Sequence, residues 1–212
     1  MSNITPNRQD TACEQAAAQF LERDFDQCFE QMRHYDGQIW DLFKFTLASY
    51  TTILGAAVGL YQYSLENGID FVPVALVLLV VGFLFGLCMY ALVIRNRVYF
   101  VCVAKYINEH RGFFLKTKPL GFSNASKMFT NLKRPQFFNW RSSQLFFSYL
   151  IASLNAILLS MLFYFWLDVS ANRTWLLGGT FTITVALQLS IGILYLLSRD
   201  QKGADSAVFG IR

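Results

Sequence analysis

Charge is scarce in this chain: Asp, Glu, Lys and Arg make up 15% of its residues, against the ~25% of an ordinary water-soluble domain. With 54% hydrophobic residues and a mean hydropathy of +0.35, that deficit argues against a soluble globular fold and makes the bilayer the main solvent. Histidine is rarer still, with His34 and His110 alone, and no HExxH, GxSxG, phosphate-binding or EF-hand spacing occurs. The cysteines Cys13, Cys28, Cys88 and Cys102 contain no CxxC pair, so they read as small buried side chains kept reduced. Intramembrane charge is also missing. No Asp, Glu, Lys or Arg lies at the middle of any long apolar run, which argues against a proton-coupled transporter or a voltage sensor.

What the chain does have is four apolar runs, Phe45–Tyr63, Phe71–Ile94, Leu145–Leu167 and Leu176–Leu197, each near the ~20 residues that cross a bilayer. The expected fold class is an all-α integral membrane protein: four transmembrane helices in two antiparallel hairpins, with a cytoplasmic helical stalk formed by the N-terminal helix and the extension of the second span. The expected organisation is a cytoplasmic amphipathic helix over 1–44, a first hairpin over 45–94, a basic, aromatic-rich loop with a helical start over 95–144, a second hairpin over 145–197 and a tail over 198–212. The polar start, Met1 to Ala18, lacks the basic-then-apolar order of a cleavable signal, so the first span is expected to direct its own insertion.

The basic residues are distributed unevenly. Of 18 Lys and Arg, four precede the first span, none lies between the first two, ten fall in 95–143, and only Arg173 lies in the second hairpin loop. By the positive-inside rule this predicts both termini and the middle loop on the cytoplasmic side. Small size, a cytoplasmic N-terminus and little sign of lumenal modification make a bacterial inner membrane the expected location. The first 44 residues carry a net charge of −4 and residues 95–143 a net charge of +9. Opposite signs favour docking of the N-terminal helix on the extension of the second span.

From Ala18 to Ile39 the positions Ala18, Leu21, Phe25, Cys28, Met32, Tyr35 and Ile39 alternate three- and four-residue steps, the seam of an amphipathic helix. Gly37 is the expected hinge or kink before the first span. Beyond Arg97, the apolar stretch Val98 to Ala104 continues the second helix as far as Arg111 and needs a covering partner. His34 and His110 both fall on this part of the chain, where docking would bring them together. With Glu109 they offer the parts of a metal or acid/base site, but Glu30 and His34 also form an ordinary i, i+4 surface pair. No catalytic residue, cofactor or metal ligand is assigned, and an enzyme is not expected.

Small residues recur every fourth position in each span: Thr51, Gly55 and Gly59; Gly82 and Gly86; Ser148, Ala152, Ala156 and Ser160; Gly178, Thr182, Ala186 and Ser190. That spacing puts each set on one helix face, where backbones can approach closely. Such tracks serve packing within one chain or between subunits of a homo-oligomer. Asn155 and Gln188 lie near the middles of the third and fourth spans at similar depth, where an unpaired amide is costly. A hydrogen bond between them is expected, either as structural glue or as the lining of a pore.

Arg95, Arg97, Lys105, Lys116, Lys118, Lys133, Arg134, Trp140 and Arg141 are the expected contacts to anionic headgroups or to a cytoplasmic protein partner. Basic residues interleaved with aromatics also suit nucleic acid, but no nucleic-acid motif accompanies them. The leading functional expectation is a non-enzymatic oligomeric membrane protein, a pore or effector controlled through its cytoplasmic helices. The alternative is a membrane-anchored adaptor or assembly factor whose basic loop binds a soluble partner or anionic lipid.

Overall fold

The computed structural model describes residues 8–116, 124–125, 131, 133–167 and 173–200, with side chains from Gln15 onward except Arg173. Four helices account for nearly all of these: α1 (Arg8–Asn67), α2 (Val72–Lys116), α3 (Ser143–Trp166) and α4 (Arg173–Asp200). Among the described residues there is no strand. All four helices are long and apolar enough to cross a membrane. At 1.5 Å per residue, the 60 residues of α1 and 45 of α2 greatly exceed the ~20 that one crossing uses.

Helix α1 is continuous through Gly37, the expected hinge or kink, and the division between the two compact units of the chain falls at the same residue. An isolated helical glycine costs only ~1 kcal/mol relative to alanine, which neighbouring residues readily offset. At the second helix, the structure continues to Lys116, five residues past Arg111.

The described residues of 1–36 and 100–136 form one compact unit, and those of 37–99 and 137–200 form another. In the first unit, Tyr106 on α2 donates to Asp24 Oδ2 on α1 at 2.8 Å. Asn108 on α2 donates to the carbonyls of Arg134 at 2.7 Å and Asn131 at 3.4 Å, which fastens the connecting segment to that helix.

In the second unit, α1 and α2 are joined by a tight turn. Gly68 adopts φ +67°, a conformation that favours glycine, Ser64 Oγ accepts the Phe71 N–H, and Asp70 accepts the N–H of Val72 at the start of α2. Tyr50, Ala57, Leu79 and Leu158 are packed with Ile53, Leu54, Phe83, Leu154 and Met161 around them. Tyr61 stacks flat on Phe165 with ring centroids 4.1 Å apart. Val77, Val81, Leu84, Ile183, Leu187 and Ile191 are exposed on the outer faces, apolar surface of the kind that lipid covers.

Candidate functional site

The middle of the second unit holds four polar side chains, one from each helix. Asn155 on α3 is 0% exposed; its Nδ2 donates to Gln188 Oε1 on α4 at 2.9 Å. Its Oδ1 accepts from the hydroxyl of Tyr50 on α1. On α2, Tyr90 donates its hydroxyl to the main-chain carbonyl of Gln188 at 2.8 Å. In hydrocarbon each unpaired polar group would cost several kcal/mol, so these bonds hold the four helices in one register.

Glycine makes the room. A Cβ on Gly86 would collide with Asn155 Oδ1 and the Tyr50 hydroxyl, and one on Gly192 would collide with the Tyr90 hydroxyl. On Gly82 it would lie 2.9 Å from Ile53 Cγ2. Ala152 and Ala156 on α3 are fully buried. The small residues of α2 and α3 are therefore used inside the chain.

Those of α1 and α4 are not. Gly55, Gly59 and Gly178 have nothing within 4 Å of an added Cβ, and Thr182 and Ala186 are exposed. The buried positions of α4 are instead Thr184, Gln188, Gly192 and Leu196, a different four-residue track. Intramolecular contact does not account for the α1 and α4 tracks singled out in the sequence.

Two arginines two positions apart on α2 have opposite fates. Arg97 is 4% exposed, with Nε donating to the Phe137 carbonyl at 3.2 Å and Nη1 to Gln144 Oε1 at 3.2 Å. Desolvation lowers its pKa to about 10, against the charge of Asp200, which favours the cation. The expectation that Arg97 meets headgroups or a partner is thus corrected: its guanidinium braces the segment leading into α3. Arg95 is exposed and points to Tyr99.

Among the other basic positions, Lys116, Lys133, Arg134 and Arg141 are exposed and Lys105 is half-buried. Lys118 lies outside the described residues. Trp140 is 65% exposed and rests against Tyr149 with ring centroids 5.6 Å apart.

In the first unit, His110 Nε2 stands 3.6 Å from Asp24 Oδ2, with its ring 4.4 Å from Tyr106. Arg111 lies over Phe29 at 5.0 Å, and burial lowers its pKa. The two histidines do not come together here. Asp24, which His110 faces, is ten residues or roughly 15 Å along α1 from His34. No group of three His, Cys, Asp or Glu among the described residues is arranged to hold a metal ion.

Tyr50 and Tyr90 are the site residues that the sequence reading missed. Their signal was a phenol inside an apolar run, where a buried hydroxyl needs a partner. The cluster they complete is neutral and hydrogen-bonded, suited to fixing helix register. The class these helices fit is a polytopic membrane protein. Comparison with protein families, curated proteins and solved structures finds no match to this chain.

Proposed function

We propose that this chain is a non-enzymatic, homo-oligomeric membrane protein whose spans form or gate a pore, and whose cytoplasmic helices transmit the controlling signal. The observation that carries this reading is the contrast between the small-residue tracks. Those of α2 and α3 are buried in the chain, whereas Thr51, Gly55 and Gly59 on α1 and Gly178, Thr182 and Ala186 on α4 are exposed. Without a hydrophobic driving force in lipid, helices associate where small residues let backbones approach. A second argument is volume: the centre of the four helices is filled by Tyr50, Asn155, Gln188 and their neighbours, so an aqueous path would have to run between copies.

In this reading both termini and the loop of residues 95–143 are cytoplasmic, in keeping with the positive-inside distribution. The N-terminal part of α1 and the C-terminal part of α2 then form a stalk, supported by the Asp24 contacts to Tyr106 and His110. Replacing Gly55 and Gly59 together by Leu tests the proposal. Smaller particles with intact helix content are expected, and an unchanged particle mass contradicts it.

A second reading, a membrane-anchored adaptor, draws on the exposure of Lys116, Lys133 and Arg134. A soluble acidic partner held there would dissociate as ionic strength rises.

A further inference from the structure

We propose that the unit made of the first part of α1 and residues 100–136 docks head to tail on a second copy of this chain, the outer face of α1, with Glu22, Asp26 and Glu30, seating against Lys133 and Arg134 of the neighbour. The inference rests on the oligomeric reading above and deepens it by naming a contact outside the spans.

The helical phase of α2 sets the layout. Tyr106 and His110, one turn apart, face α1: the Tyr106 hydroxyl donates to Asp24 Oδ2 at 2.8 Å, and His110 Nε2 stands 3.6 Å from the same oxygen. Asn108 lies two positions from each, about 200° around the helix. Its Nδ2 donates to the carbonyls of Arg134 at 2.7 Å and Asn131 at 3.4 Å. The stretch that holds Asn131 and Arg134 therefore runs on the side of α2 away from α1. Lys133 and Arg134 are exposed there.

Helix α1 turns a different face outward. Cys28 is buried, and Asp24 and Phe25 meet α2, whereas Glu22, Asp26 and Glu30, at steps of four, share an exposed face. Gln15–Asp36 carries five carboxylates against two arginines, and residues 100–136 carry seven basic residues against one acidic. Among the described residues no ion pair engages the three exposed carboxylates or the side chains of Lys133 and Arg134. The unit thus has α2 in its middle, a negative outer side on α1 and a positive outer side beyond α2.

The two sides cannot neutralise each other within one chain, because α2 stands between them. A second copy supplies the complement of both. Anionic headgroups or an acidic protein would match the basic side alone and be repelled by the α1 side. A contact between two different faces is heterologous, and repeated by rotation it closes a ring, the arrangement that a pore between copies requires. Exposed ion pairs are individually weak, so this contact sets the order of neighbours while the spans supply most of the adhesion.

The test is carbodiimide cross-linking of the full chain in detergent, which joins a lysine amine to a carboxylate in direct contact, with products separated on denaturing gels and mapped by mass spectrometry. Covalent dimers and larger ladders linking Lys133 to Glu22, Asp26 or Glu30 are expected, in a yield that falls as ionic strength rises. Lys133→Glu/Arg134→Glu and Glu22→Lys/Asp26→Lys/Glu30→Lys should each lower that yield about tenfold, the order expected when two or three exposed pairs turn from attraction to repulsion. Combining the five changes in one chain should restore it, with helix content unchanged by circular dichroism throughout. Links confined to single chains, unchanged dimer yield in either reversed variant, or a loss that the combined variant does not restore would each overturn the interface. An oligomeric particle mass without these links would overturn the interface alone, whereas a monomeric wild-type particle would overturn the oligomeric reading with it.

Discussion

Asn155 Nδ2 and Gln188 Oε1 meet at 2.9 Å between α3 and α4, while the other side of the same amide, Oδ1, takes the hydroxyl of Tyr50 from α1. One side chain therefore ties three helices. Replacing Asn155 by Leu strands the Tyr50 hydroxyl and Gln188 Oε1 in an apolar interior. A loss of about 1–3 kcal/mol is expected, measured as a lower denaturant midpoint in detergent. Asn155→Leu/Gln188→Leu should lose less than the sum of the two single changes, since the pair is removed together.

Glycines should divide into two groups by stability. Gly86→Ala puts a methyl group against Asn155 and Tyr50 and should lower the thermal midpoint markedly. Gly55→Ala meets nothing within 4 Å and should leave the stability of the single chain unchanged or raise it by up to about 1 kcal/mol, since alanine is the better helix former. Parallel thermal scans check the contrast, and equal shifts would contradict the packing described.

Arg97 and Arg95 are separated by two positions, yet their substitution should differ greatly. Arg97→Ala removes the partner of Phe137 and Gln144 and should destabilise by about 2–4 kcal/mol, in the range for breaking a buried charged network. Arg97→Lys should restore little, because a single ammonium lacks the spread of donors that reaches both oxygens. Arg95→Ala should have a small effect on stability. Chemical unfolding of the three variants measures this.

The contact between Tyr106 and Asp24 has a definite pH behaviour. The hydrogen bond to the carboxylate is the largest cause raising the Tyr106 pKa above 10.0, followed by burial and the Asp24 charge. A raised folded-state pKa means the folded chain holds the proton more tightly than the unfolded one. Its stabilising contribution is present below the unfolded value of ~10 and is lost as pH rises through the folded one. The difference in phenolate absorbance between the wild-type chain and Tyr106→Phe should show a tyrosine titrating above its ordinary range.

The four helices are legible because four separate apolar runs near 20 residues rarely arise outside bilayer-spanning helices. The meeting of Asn155 and Gln188 is legible too, since amides at equal depth in neighbouring antiparallel runs find few partners but each other. Tyr50 and Tyr90 escape notice because tyrosine in such runs usually marks the interface, and only the packing at Gly86 and Gly192 reveals these as buried. A four-residue repeat shows that Gly55 and Gly59 share a face; it does not tell which way that face points. Arg95 and Arg97 look alike in a charge count, yet two helical positions are about 200° apart, so one lies outside and the other inside.

The decisive measurement is the mass of the particle in detergent or nanodisc, with bound detergent and lipid subtracted. A defined multiple of the 24.3 kDa chain, reduced by Gly55→Leu/Gly59→Leu, is the expected result and makes conductance the next experiment. A strictly monomeric particle would contradict the oligomeric pore and leave the exposed tracks of α1 and α4 facing lipid alone.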